Sequence, residues 1–323
     1  MPHLTAPGGV PRAPDAPSAA VLAGPAGPAG PAGPAVRTEA ARPADGTEPA
    51  GRTGLGVPGW AHPMLAPVEW AALTRPGVPV RWAVLDVFSG PGSSPAGASS
   101  GPGTRPDAYC LAAAARLRAS GVRVLGRLAL REGTRAFGEL VPDAHRFLDW
   151  YGVDGFYLDG CPAGRAQLAE TSRTVTTLRA LCAQQRRYQD GTGATATASA
   201  ARLSPRLGAG PARALVVLGH GTHPHPGYAD LADQLVTFRG SWPEYRWSQA
   251  AAWTADHPPE RFCHLVHGVP RMHLDEALRV ARWQGAGTVW FTDRTDRRGQ
   301  NPWEALPGYW DELVSRLGPG VSE

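Results

Sequence analysis

GVDGFYLDG, residues 152–160, is the stretch on which the fold turns. A short apolar run of this kind, bounded by glycines, reads as a strand covered on both faces. Its last charged residue, Asp159, stands where such a strand leaves the core. Immediately before it, ELVPDAHRFLDWYG (139–152) has helical spacing and stops at Gly152, and after it AGRAQLAETSRTVTTLRALCAQQRRY (163–188) reads as a long helix. A buried strand between two helices is the unit of a parallel sheet.

The same unit recurs outward in both directions. Seven further strand-like runs lie at 54–60, 79–88, 122–128, 213–219, 234–238, 262–267 and 287–293. DAYCLAAAARLRASG (107–121) and LDEALRVARWQGAG (274–287) supply two more helices, while 189–212 lacks periodicity and reads as a surface loop. Eight units in about 265 residues predict an α/β fold, a (β/α)8 TIM-type barrel over 56–318; a doubly wound sheet is the alternative.

Residues 1–55 differ in kind. They are built mainly of Pro, Gly and Ala, with no aromatic residue and GPA four times over 24–35. Four triplets are too few for a triple helix. A segment this poor in apolar bulk does not offset the entropy of ordering, so a disordered tail is expected.

All 32 basic residues are arginine, and the net charge of +4 forms no dense block, so no nucleic-acid partner is expected. No run of apolar residues is long enough to span a membrane. The first residues lack the basic-then-apolar pattern of an export signal, which points to the cytoplasm; a start site placed elsewhere would change that. Cys110, Cys161, Cys182 and Cys263 are far apart in sequence and read as buried thiols.

In a (β/α)8 barrel the active site lies at the C-terminal ends of the strands. The residues there are Trp60 with His62, Asp86, Arg127, Asp159, His220, Arg239, His267 and Asp293. Asp159 and Asp86 are the candidate catalytic carboxylates. The alternative for Asp159 is a helix cap or a salt bridge to Arg127 on the neighbouring strand, and Asp86 could equally anchor the glycine-rich loop 89–103. Asp154, at the opposite end of its strand, reads as structural. Trp60, His62, Arg127, His220, Arg239, Trp242 and His267 are the candidate substrate-binding residues. Trp60, Trp242, Trp247 and Trp303 would offer sugar-stacking platforms near the strand ends, against a packing role for Trp70, Trp150, Trp283 and Trp310 on helices. The glycine-rich loop matches no phosphate-binding pattern, and His220, His223 and His225 match no zinc spacing. No cofactor and no metal is therefore expected.

Several stretches together resemble the spherulation-specific family 4 (spherulin 4-like) proteins: SGPG (89–92), VLG (124–126), WYGVDGFYLD (150–159), HGTHPHPGYADLADQLVTF (220–238), PERFCHLVHGVP (259–270) and NPWEALPGYW (301–310). The resemblance implies a glycosidase-like barrel whose relatives hydrolyse a galactosamine-containing polysaccharide with acidic strand-end residues, hence a polysaccharide or oligosaccharide ligand. Position by position it is incomplete. Asp159 matches the family's Asp-Glu pair, but the next residue is Gly160, and Arg239 stands where a Glu follows the sixth strand. Asp86 and Gly219 replace two Asn, and Arg127 and Leu130 replace a Tyr and a Thr. Since a guanidinium is neither general acid nor nucleophile, ordinary two-carboxylate hydrolysis would fall to Asp159 with Asp86. The alternatives are a non-catalytic carbohydrate- or protein-binding barrel and a scaffold tethered by its tail.

Overall fold

The computed structural model describes residues 53–59, 61–87, 102–193, 213–297 and 300–318. Eight parallel strands close into a barrel in sequence order: β1 (Gly54–Val57), β2 (Val80–Leu85), β3 (Arg123–Ala129), β4 (Gly155–Asp159), β5 (Leu215–Gly219), β6 (Gln234–Ser241), β7 (Phe262–His267) and β8 (Thr288–Phe291). Closure is made by β1 on β8, with Gly54 opposite Thr288 and Leu55 opposite Val289. The doubly wound alternative is thereby excluded. β1 begins two residues before the expected boundary at 56, because Gly54 is needed for this pairing; the rest of the expected tail lies outside the described residues, as does 194–212 of the expected loop.

The strands are largely apolar on both faces for one reason: one face fills the barrel and the other meets helices. In β7 all six residues are buried. Inside the barrel, Trp82 Nε1 donates to Gln234 Oε1 at 2.8 Å, and Gln234 Nε2 donates to Thr288 Oγ1 at 2.8 Å. Gly56 makes room for this chain of contacts, since a Cβ there would lie 2.3 Å from the Trp82 ring.

The helices of the outer layer are α1 (Pro67–Ala72), α2 (Ala108–Ala119), α3 (Phe137–Arg146), α4 (Leu168–Gly193), α5 (Trp242–Tyr245), α6 (Leu274–Trp283) and α7 (Trp310–Leu317). In α6 the buried residues Leu274, Ala277, Leu278 and Ala281 fall at i, i+3, i+4 and i+7, one stripe facing the barrel. Each such buried Leu contributes about 1.5–3 kcal/mol. α2 starts at Asp107, whose side chain accepts from the Cys110 amide at 2.8 Å. After α3 a wider turn, Phe147–Tyr151, ends at Gly152 in the left-handed region.

Trp70 and Trp310 pack on the barrel as expected for helix residues, but Trp283 is 76% exposed, because it ends α6 on the side away from the buried stripe. All four cysteines are free and buried. No helix among the described residues is long and apolar enough to cross a membrane.

Candidate site at the barrel mouth

Arg127, Asp159 and Arg239 belong to β3, β4 and β6, and Asp86 follows β2 directly. The structure brings all four together. Asp159 is the last residue of β4 and is directed inward with Tyr157, two residues before it. Arg239 reaches the same place because of a bulge in β6. The register shifts between Val236 and Phe238, which turns Phe238 outward against Tyr245 and aims Arg239 inward.

The Asp159 carboxylate accepts from Arg127 Nε at 3.1 Å and from Arg127 Nη2 on one oxygen, and from Arg239 Nη1 at 2.8 Å on the other. Arg127 Nη1 donates to Asp86 Oδ2 at 2.6 Å. One guanidinium thus bridges the two carboxylates. Burial pushes the Asp159 pKa up, but Arg127 and then Arg239 outweigh it, and the net result lies below the ordinary carboxylate value. Burial likewise pulls Arg127 down, and Asp86 and Asp159 more than reverse it. Asp159 is therefore a held anion, with a side chain only 13% exposed.

The nearest oxygens of Asp86 and Asp159 are no more than about 7.5 Å apart, since both sit on one guanidinium fork. That upper limit is compatible with the roughly 5–9.5 Å used by glycoside hydrolases. The space between them, however, is taken by Arg127 itself.

Around this cluster the guanidinium of Arg239 lies 5.6 Å from the centroid of the Trp303 ring, and the His267 ring meets Trp303 edge-on at 5.7 Å. His267 Nδ1 and, beneath the ions, Tyr157 Oη are buried without a hydrogen-bond partner among the described residues. His220 packs edge-on against Tyr228 at 4.7 Å, and burial lowers its pKa to about 4.

The other expected site residues are placed differently. Trp242 is 4% exposed, its ring meeting Tyr245, His273 and the Arg246 guanidinium. It packs beside the barrel instead of presenting a platform; the exposed ring of that turn is Trp247, at 81%. His62 is buried beyond β1 and faces Asp107 and Cys110. Trp60 lies outside the described residues. Asp154, as expected, is structural: its carboxylate accepts from the Val124 amide at 2.8 Å at the opposite end of the barrel.

Gly160 has φ of 62°. A Cβ there would lie 3.5 Å from the amide nitrogens of Arg131 and Glu132, and Glu132 N donates to Gly160 O at 2.7 Å. Arg131, Glu132 and Gly133 all have positive φ, so three left-handed residues in a row lie against the exit of β4. Sequence reasoning missed this loop, since nothing in the string REG marks such a backbone.

The family model described as spherulation-specific family 4 matches residues 93–317. No curated protein gives a match. Among solved structures, the chain is similar to Aspergillus clavatus Sph3, crystallised in complex with GalNAc, with 21% sequence identity, 83% of this chain and 98% of that chain covered, and a TM-score of 0.58. At that identity the likeness is one of fold.

Proposed function

The chain belongs to spherulation-specific family 4, and from that premise we propose that its barrel mouth binds an amino-sugar polysaccharide without hydrolysing it. The observation that carries this reading is the ion cluster. Hydrolysis needs one carboxyl to give a proton to the leaving oxygen and a second to act as base or nucleophile. Asp159 is held ionised by two arginines, so it has no proton to give. Asp86 shares one of those arginines, and Arg127 occupies the space a scissile bond would need. Gly160 and Arg239 offer no carboxyl in their place.

Binding has better support. Sph3 was crystallised with GalNAc, and the same fold here carries polar groups that suit sugar hydroxyls. The partly exposed guanidinium of Arg239 supplies hydrogen-bond donors at the mouth, with the buried rings of Trp303 and His267 packed behind it. A second reading, hydrolysis by Asp159 with Asp86, is favoured only by both carboxylates lying on one guanidinium, and requires Arg127 to leave.

The test is a titration of the full chain with N-acetylgalactosamine oligomers and their partly de-acetylated forms, followed by calorimetry and tryptophan fluorescence, with a reducing-end assay on the same samples. Saturable binding with no new reducing ends is expected. Release of reducing ends that disappears in Asp159→Asn would replace this reading with the second one. Neither binding nor release would remove the carbohydrate reading altogether.

A further inference from the structure

We propose that His62, Asp107 and Cys110 form a binding site for a borderline-soft divalent cation of the zinc class at the rim of the barrel mouth. The site is separate from the Asp159 cluster and does not depend on the carbohydrate reading. His62 comes from the β1–α1 connection; Asp107 and Cys110 come from the cap and first turn of α2.

The three donor atoms converge. Cys110 Sγ lies 3.4 Å from His62 Nε2, and Asp107 Oδ1 lies 3.3 Å from the same nitrogen. One atom from each residue lies within 4.8 Å of the others. A ring nitrogen has a single in-plane direction for bonding, yet two groups approach this one, a carboxylate oxygen at 3.3 Å and a sulfur at 3.4 Å. Donors arranged around a shared centre give that pattern. For a tetrahedral zinc with bonds of ~2.0 Å to nitrogen or oxygen and ~2.3 Å to sulfur, the N–O and N–S edges come to about 3.3 and 3.5 Å. The observed edges match both.

The surroundings hold these donors in place. The His62 carbonyl accepts from Leu65 N at 2.7 Å and Ala66 N at 3.1 Å, fixing its turn. Asp107 N donates to Tyr151 Oη at 3.0 Å, and Asp107 Oδ1 accepts from Cys110 N at 2.8 Å. The His62 ring meets Tyr109 edge-on at 6.2 Å. Outer contacts of this kind orient metal ligands. One contact opposes the ion: Met64 N donates to His62 Nδ1 at 3.3 Å. A neutral ring bound through Nε2 carries its proton on Nδ1, so this long bond would be lost.

Charge and chemistry select the ion class. Thiolate and imidazole disfavour magnesium and calcium, which prefer all-oxygen sites. Binding displaces the Cys110 proton to water, so one thiolate and one carboxylate balance the two charges of the ion. A neutral site suits a place where His62 is 3% and Cys110 0% exposed. Asp107, with a side chain 39% exposed, is the edge by which an ion enters. Once bound, the ion would tie the exit of β1 to the start of α2.

The test is a titration of the chelator-treated full chain with Co(II) as a spectroscopic substitute, followed by displacement with Zn(II). One equivalent should bind, with a sulfur-to-cobalt charge-transfer band that zinc removes. Cys110→Ser should abolish the band, while Cys182→Ser should keep it. Should Cys110→Ser not fold, Asp107→Asn decides, because Asn keeps the helix cap while the affinity should fall at least about tenfold. No stoichiometric uptake, or a band that survives unchanged in both Cys110→Ser and Asp107→Asn, would show that the three residues form only a hydrogen-bonded cap and would overturn the proposal.

Discussion

Replacing Asp159 by Asn keeps the shape of the side chain and removes its charge, so it isolates what the ion cluster contributes. Two limits frame the magnitude. Removing one partner of a fully buried pair costs about 3–5 kcal/mol, and an exposed pair contributes about 0–1 kcal/mol. Asp159 lies near the first limit, with its side chain 13% exposed, but its partners do not, at 31% for Arg127 and 37% for Arg239. Arg127 would keep Asp86, and Arg239 would keep Trp303 and turn further into water. The expected loss at pH 7 is therefore about 2–3 kcal/mol, or a fall in Tm of roughly 5–10 °C. Urea denaturation followed by tryptophan fluorescence measures it directly. The pH dependence supplies a second check. Because the folded pKa of Asp159 is depressed, its stabilisation is complete above the unfolded value of ~3.9 and is lost as pH falls through the folded value. The gap between native protein and variant should thus close in strong acid. A gap under about 0.5 kcal/mol at pH 7, within the range of an ordinary surface change, would refute the paired anion. So would a gap that persists undiminished in strong acid.

Four further outcomes follow from geometry elsewhere in the barrel. The four buried thiols should resist a thiol reagent in the folded chain and all react in denaturant, since burial raises Cys161 to about 12 and Cys182 to about 11; rapid labelling of the folded chain would contradict this. Gly155→Ala would place a Cβ 1.9 Å from Leu215 O and should cost about 3 kcal/mol or more by forcing β4 from β5. Gly138→Ala, in open space on α3, should gain roughly 0.5–1 kcal/mol in the same denaturation assay. Burial keeps His220 and His264 neutral, lowering them to about 4 and about 3. Stability should therefore decline as pH falls from ~6.5 toward those values, and the urea midpoint of His264→Gln should fall less steeply there than that of the native chain.

The barrel was legible because its strands are sealed on both faces. Short apolar runs such as ALVVLG and FCHLVH have no solvent-facing alternation, and eight of them between helices leave few other folds. The strand-end residues were legible for the same reason, since topology places them on one rim, and a salt bridge between Arg127 and Asp159 was among the readings the sequence allowed. Arg239 was harder. Its inward aim depends on the bulge at Thr237, which no residue pattern in QLVTFRGS announces. Trp242 shows the converse error: a tryptophan just past a strand looks like a platform, but Tyr245 and His273 close over it. The cluster of His62, Asp107 and Cys110 joins residues 45 and 48 positions apart in sequence, so no local spacing could reveal it. Trp310 was legible as a helix residue, and in α7 it is buried with Leu313 and Leu317 at i, i+3 and i+7.

The left-handed Gly160 bears on how this molecule could change over generations. A carboxylate at that position would carry a backbone cost. Any side chain would meet a backbone conformation that only glycine adopts without strain, beside a loop that hydrogen-bonds across the same turn. The space itself admits a Cβ, at ordinary contact distance from the amides of Arg131 and Glu132, so the obstacle is the left-handed main chain, about 1–2 kcal/mol for a residue other than glycine. The main chain at the exit of β4 thus weighs against a second carboxylate beside Asp159, whatever the mouth binds.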